Sequence, residues 1–152
     1  MFLTIDIEIT NRCNATCHFC PRDATPHQGI MDVDTFDQAL ARAVEYRAVV
    51  KEVSGLEIRV SLCGLGEPLI NKNTVSFVEK VKGAGFRCSM SSNGALLTEE
   101  KAHALLDAGL DEIYLNISDI DEEYERIYNL PFDNTCKNIT RFAAMAQGRC
   151  SP

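Results

Sequence analysis

Four times over, a strand-like stretch of seven residues is followed by a segment of helical periodicity, and this order constrains the fold more than any other feature of the chain. TIDIEIT (4–10) sets Ile5, Ile7 and Ile9 on one side and Asp6, Glu8 and Thr10 on the other. After a turn-rich stretch around Pro26 and Gly29, the spacing of Phe36, Leu40, Ala43 and Val44 predicts a helix over 34–50, with Asp34 as its cap. LEIRVSL (56–62) alternates Ile58, Val60 and Leu62 against Glu57, Arg59 and Ser61. A helix over 73–82 follows, with Phe77, Val78 and Val81 inward and Gly83 and Gly85 ending it. FRCSMSS (86–92) reads as a third strand, and Thr98 caps a third helix that carries Leu105 and Leu106 and stops at Gly109. EIYLNIS (112–118) is the fourth strand, Ile113, Leu115 and Ile117 against Tyr114, Asn116 and Ser118. A helical region over 122–146, broken near Pro131, shows Ile139, Phe142 and Met145 as its apolar stripe.

Strand then helix, repeated, means parallel strands joined by right-handed crossovers, an α/β fold. Polar residues on the second face of each strand favour a barrel with a wet lumen, because a doubly wound sheet is apolar on both faces. Glu8 and Thr10, with Glu57 and Arg59, are assigned to that lumen. Nothing in residues 1–152 marks a linker, so one domain is expected.

Composition narrows the class. With 45% hydrophobic and 24% charged residues the chain is expected to fold rather than stay disordered. A net charge of −7 without a Lys/Arg cluster argues against nucleic acid, which is bound by displacing phosphate counterions. MFLTIDIEIT has no basic residue ahead of its apolar positions, and no apolar run reaches the ~20 residues of a membrane helix, so neither a secretory leader nor a membrane partner is expected. The expected compartment is cytoplasmic. Seven cysteines, an odd number, then point to metal ligation plus buried free thiols rather than a disulfide framework.

In such folds ligands gather at the carboxyl ends of the strands. Four loops fall there: CNATCHFC (13–20), CGLGEP (63–68), SSNG (91–94) and SDID (118–121). The first brings Cys13, Cys17 and Cys20 together with gaps of three and two. A structural zinc wants four ligands, which His18 or His27 would have to complete as a Cys3His site. An ordinary iron–sulfur cluster is held by four cysteines, whereas Cys63, Cys88, Cys136 and Cys150 are scattered singly. Three ligands on a cubane would leave one iron open. Cys63, Cys88 and Cys136 read as buried small hydrophobes, and Cys150 lies too near the end to assign.

CxxxCxxC in the first strand-to-helix loop, Gly66-Glu67-Pro68 after the second strand and Asn93-Gly94 after the third, in that order, resemble the radical S-adenosylmethionine superfamily. The resemblance implies a partial TIM-like (β/α) barrel, about four of the six strand–helix units of that family's core, with units missing on the C-terminal side. It implies a 4Fe–4S cluster on Cys13, Cys17 and Cys20, whose open iron is chelated by S-adenosylmethionine. An electron then cleaves the sulfonium to a 5'-deoxyadenosyl radical, which abstracts hydrogen from a peptide or small-molecule substrate. Phe19 matches the family's aromatic beside the last cysteine. Gly64, Gly66, Glu67 and Pro68 resemble the Gly-Gly-Glu-Pro motif, with Leu65 where its first glycine stands; the motif's main-chain and carboxylate oxygens accept from the methionine ammonium. Asn93 matches a Thr-Asn-Gly element with Ser92 in place of threonine, Ser118 a contact to the cofactor's ribose or carboxylate, and Arg126 an arginine that pairs with that carboxylate. A flavodoxin- or ferredoxin-type electron donor belongs to the same expectation. Four units would expose a strand edge and apolar flanks, so either a truncated or split core, or one that completes its barrel by association, is expected. The rivals are a non-catalytic zinc or iron–sulfur module, which would not need Gly-Glu-Pro or Asn-Gly, and an inactive truncated half-barrel.

Overall fold

The computed structural model describes residues 2–149. Four strands, β1 (Phe2–Asp6), β2 (Glu57–Leu62), β3 (Arg87–Ser92) and β4 (Glu112–Leu115), pair in parallel in the order β1-β2-β3-β4. Consecutive order without reversal is the winding of a barrel segment, and the barrel is not closed by these four strands. The helices are α1 (Val33–Ser54), α2 (Thr74–Gly83), α3 (Glu99–Asp107), α4 (Asp121–Tyr128) and α5 (Phe132–Arg149). Cys150 lies outside the described residues.

The core forms where the outward faces of the strands meet the helices. Ile58, Val60 and Leu62 of β2, Cys88 and Met90 of β3, Phe36 and Leu40 of α1, Phe77, Val78 and Val81 of α2, and Leu105 of α3 are all buried in one cluster. The Phe36 and Phe77 rings stack at 3.9 Å, joining α1 to α2. The opposite strand faces are polar. Arg59 donates to Thr4 Oγ1 (2.9 Å), Glu112 Oε2 (2.9 Å) and the Tyr114 hydroxyl (3.0 Å), and Arg87 donates to Glu112 Oε1 (2.9 Å). One polar row thus crosses all four strands at the amino-terminal end of the lumen, with its ion pairs on β2, β3 and β4. Glu57, at the start of β2, instead faces Lys51 of α1 at 3.9 Å.

Several boundaries move from the sequence reading. β1 begins at Phe2 and its ladder stops near Ile7, whose N–H still reaches Ser61 C=O. Beyond it the chain leaves the sheet, and Thr10 bridges antiparallel to Ile30 while its hydroxyl donates to Gly29 C=O. Thr10 is therefore buried in a loop seam, not aimed into the lumen. The cap of α1 is Asp32, which accepts from Thr35 N–H at 2.8 Å; Asp34 lies inside the first turn. Val44 is exposed on α1, at the opposite flank of the buried face from the exposed Tyr46, Val49 and Val53. β4 ends at Leu115, leaving Ile117 and Ile120 exposed at the sheet's open flank. Cys88 is fully buried as read, Cys63 is half-buried, and Cys136 is exposed because it sits on the outer side of α5. No described helix is long and apolar enough to cross a membrane.

Asn71 fixes the chain that leads into the site. It is 2% exposed, and its amide donates to Ile9 C=O and Met31 C=O, both at 2.9 Å, while its Oδ1 accepts from Asn73 N–H. Asn71→Ala would orphan these buried groups, so thermal or urea unfolding is expected to show a loss of about 1–3 kcal/mol, with the core contacts of α2 otherwise retained. Unchanged stability would show that the seam does not depend on this amide.

Candidate functional site

The four loops singled out by sequence meet in one cavity of 510 Å³. Its wall includes Cys13, Cys17, Cys20 and Phe19 from the first loop and Gly64, Leu65, Gly66 and Glu67 from the second. Ser92 and Asn93 from the third and Ser118 and Tyr128 from beyond β4 complete it. Pro68 opens a one-turn 3₁₀ segment behind the wall and is buried. Arg126 is not part of the lining; it is solvent-exposed on α4 and paired with Glu123 one turn back.

The cysteine loop is anchored mostly at its start. The Cys13 sulfur accepts from Ala15 N–H at 3.4 Å, and the Cys13 carbonyl accepts from the buried Arg22 guanidinium at 3.0 Å. Cys20 N–H donates to Cys17 C=O at 3.0 Å, which curls the loop so that its three thiols face one cavity. Farther along, Thr16 N–H donates to Tyr128 C=O at 3.1 Å. The Cys13 thiol is pushed up chiefly by burial, with the Ala15 N–H opposing and the Glu67 charge adding to the rise. Cys17 is pushed up by burial and by the neighbouring thiols. Proton-bearing thiols here are costly to ionise alone, which is the condition a bound metal reverses.

Glu67 is the densest node. Only 1% exposed, its Oε1 accepts from Leu69 N–H (3.1 Å) and the Ser92 hydroxyl (2.9 Å), and its Oε2 from Asn93 N–H (2.8 Å). Its own N–H donates to Arg12 C=O at 2.8 Å. Burial pushes the carboxyl up, while these three donors pull the other way. The carboxylate thus faces protein donors and ties the end of β3 to the loop after β2. Asn93 continues the chain of contacts: its Nδ2 donates to Asn14 Oδ1 at 2.9 Å and toward the Cys13 sulfur at 3.8 Å.

Two glycines allow close approach for different reasons. A Cβ on Gly66 would lie 2.2 Å from Thr10 O and 2.6 Å from Arg12 O, so main chain packs on main chain there. A Cβ on Gly64 would meet the Glu8 carboxyl at 2.3 Å; that carboxyl accepts Leu65 N–H at 2.7 Å. Leu65, where the resembling motif has glycine, half-buries its side chain against the cavity.

Tyr128 was not singled out by sequence. Its hydroxyl meets Ser118 N–H (3.2 Å) and Ser118 Oγ (2.8 Å), and its ring lies edge-on to Phe19 at 6.2 Å. Only its apolar place on α4 is readable in the sequence; its partners come from other loops.

A model of the Radical SAM superfamily matches residues 7–149. The chain belongs to the radical SAM superfamily. Radical SAM proteins use a 4Fe–4S cluster and S-adenosylmethionine. The chain is similar to a probable GTP 3',8-cyclase of Methanothermobacter marburgensis, 34% identical over 82% of this chain and 38% of the relative. It is also similar to a tungsten-containing aldehyde ferredoxin oxidoreductase cofactor-modifying protein of Pyrococcus furiosus, 32% identical over 73% of this chain and 29% of the relative. It therefore spans well under half the length of these curated relatives. The fold also matches a crystal structure of Streptococcus suis SuiB bound to S-adenosylmethionine, with a TM-score of 0.69 and 13% identity over 92% of this chain and 31% of that one. The donor set fits the radical SAM cluster: three free thiols on one cavity wall, one of them already receiving an N–H, and an open cavity beside them. Among the described residues, no three His, Cys, Asp or Glu side chains are grouped to hold a single metal ion.

Gly66→Ala is expected to lower stability by about 1–3 kcal/mol or more, because its contacts are backbone atoms that cannot rotate away. Gly64→Ala is expected to lose less, since the Glu8 side chain can swing aside. Urea unfolding of both variants checks the order, and a larger loss for Gly64→Ala would contradict it.

Proposed function

We propose that the chain is the cofactor-binding part of a radical SAM enzyme that acts on a peptide or small-molecule substrate. The observation that carries the reading is the shared cavity: three loop thiols stand across it from the glycine-rich turn and the ends of β3 and β4. In this reading Cys13, Cys17 and Cys20 hold three irons of a 4Fe–4S cluster and leave the fourth for S-adenosylmethionine. When bound, this pair supplies a 5'-deoxyadenosyl radical for hydrogen abstraction.

The chain's own residues do the rest. Gly64 and Gly66 let the turn after β2 pack closely against Glu8 and the Thr10–Arg12 main chain, and in this reading its main-chain carbonyls face a ligand's ammonium group. Glu67 acts mainly by holding that turn against β3, with both carboxylate oxygens already engaged, and Pro68 fixes the turn's exit. Ser118, set by the Tyr128 hydroxyl, offers an oxygen at the opposite wall. Phe19, 61% exposed at the mouth, supplies an apolar face that shields the site when a ligand fills it. Arg126 would reach a ligand carboxylate only by leaving Glu123. Support for a small-molecule substrate comes from the GTP in the name of the archaeal relative. A low-potential flavodoxin or ferredoxin as reductant, and the cytoplasm as the compartment that keeps the thiols reduced, complete the proposal.

Anaerobic reconstitution is expected to load about four irons and four sulfides, and to give an EPR signal after dithionite reduction that changes shape with S-adenosylmethionine. Cys17→Ala is expected to lose the cluster and cofactor cleavage together. One zinc without sulfide, or cleavage surviving in Cys17→Ala, would overturn the reading.

A further inference from the structure

The three cysteines differ in what surrounds their sulfurs. Cys13 Sγ faces two donors, Ala15 N–H at 3.4 Å and Asn93 Nδ2 at 3.8 Å. Among the described residues no side chain donates to the sulfur of Cys17 or Cys20. The orientation of the Asn93 amide is fixed from the far side. Ala95 N–H donates to Asn93 Oδ1 at 3.0 Å, so the NH2 group must face the cysteine loop. One of its hydrogens is taken by Asn14 Oδ1 at 2.9 Å, and the other is directed at the Cys13 sulfur. The backbone N–H of Asn93 is held in turn by Glu67 Oε2 at 2.8 Å, and the residue is 7% exposed. The donor is thus buried, oriented and backed by a second hydrogen-bond layer, as a tuning group requires.

We propose that Asn93 is a positioning residue for the cluster, its side-chain amide donating to the Cys13 thiolate and setting how readily a cluster held there accepts one electron. The inference rests on the reading that Cys13, Cys17 and Cys20 hold a 4Fe–4S cluster. The reduced cluster carries one more negative charge than the oxidised one. An N–H dipole aimed at a ligand sulfur therefore stabilises the reduced form more and raises the potential. Donation to Cys13 alone also makes that side of the cluster the better-stabilised seat for the added charge.

The test is an EPR-monitored redox titration of reconstituted wild type, Asn93→Ala and Asn93→Asp, with iron and sulfide measured first. Wild type that takes up no cluster removes the underlying reading, and the inference with it. With clusters loaded in all three, Asn93→Ala is expected to lower the reduced-to-oxidised ratio at a fixed applied potential about tenfold, equivalent to about 59 mV for one electron. Asn93→Asp keeps the side chain's shape and an acceptor for Ala95 N–H but puts a carboxylate against the sulfur, so a larger fall is expected. A purely structural role would lower iron content and leave the ratio of the loaded fraction unmoved. Equal potentials in the three proteins would overturn the inference while leaving the cluster reading intact. If neither variant loads iron, wild type carrying 15N-labelled asparagine decides by electron–nuclear double resonance: a 15N coupling supports the inference, and its absence overturns it.

Discussion

A carboxylate sealed from water is the constraint on which the rest of the site depends. Removing the charge of Glu67 from solvent is costly unless donors replace the lost hydration, and three donors from Leu69, Ser92 and Asn93 do so. These donors come from two strand ends, so satisfying one side chain fixes the spacing between them. The Glu67 N–H extends the constraint to Arg12, one residue before the first cysteine of the loop. Glycine at 66 then brings main chains into contact where any side chain would force them apart. The cavity is therefore defined by backbone placement, and its functional side chains hang from a rigid frame.

Much of this architecture is legible in the sequence because its signals are local. The periodicity of Phe77, Val78 and Val81 reports a helix face, and the caps at Thr98 and the exits at Gly85 and Gly109 follow from short-range geometry. The three motifs that carry the family membership are likewise contiguous strings. Alternation misleads in TIDIEIT because it records which side chains are buried, not which backbone groups pair. Ile7 and Ile9 are both buried, yet the ladder ends near Ile7 and the chain then turns to meet Ile30. Asn71 and Tyr128 are silent in the sequence for another reason. Asn71 bonds to carbonyls 62 and 40 residues away, Tyr128 joins Ser118 to the cysteine loop, and neither relation leaves a pattern in the chain. Cys136 was misplaced because cysteine content alone does not say which side of α5 faces the core.

The lumen divides into two chemical zones along the strands. At the amino-terminal end, Arg59, Arg87 and Glu112 pair across the sheet and leave few free charges. At the carboxyl end the side chains shorten to serines and asparagines, uncharged groups that bond to one another, as Asn116 Nδ2 does to Ser91 Oγ at 2.9 Å, or to the loops, as the Ser92 hydroxyl does to Glu67. The gradient separates a stabilising row from an open working mouth, a division of labour common to parallel strand–helix folds.

Leu65 gives this mouth an individual shape. The resembling motif carries glycine at that point, where a ligand would meet bare peptide; here a branched aliphatic side chain stands in the cavity lining. A leucine there takes volume from the cavity and replaces a hydratable surface with one that water wets poorly. Any molecule that fills this cavity would meet that aliphatic surface where the motif's glycine would leave bare peptide. The form of the mouth thus depends on a residue with no polar group in its side chain as well as on the hydrogen-bonding residues around it.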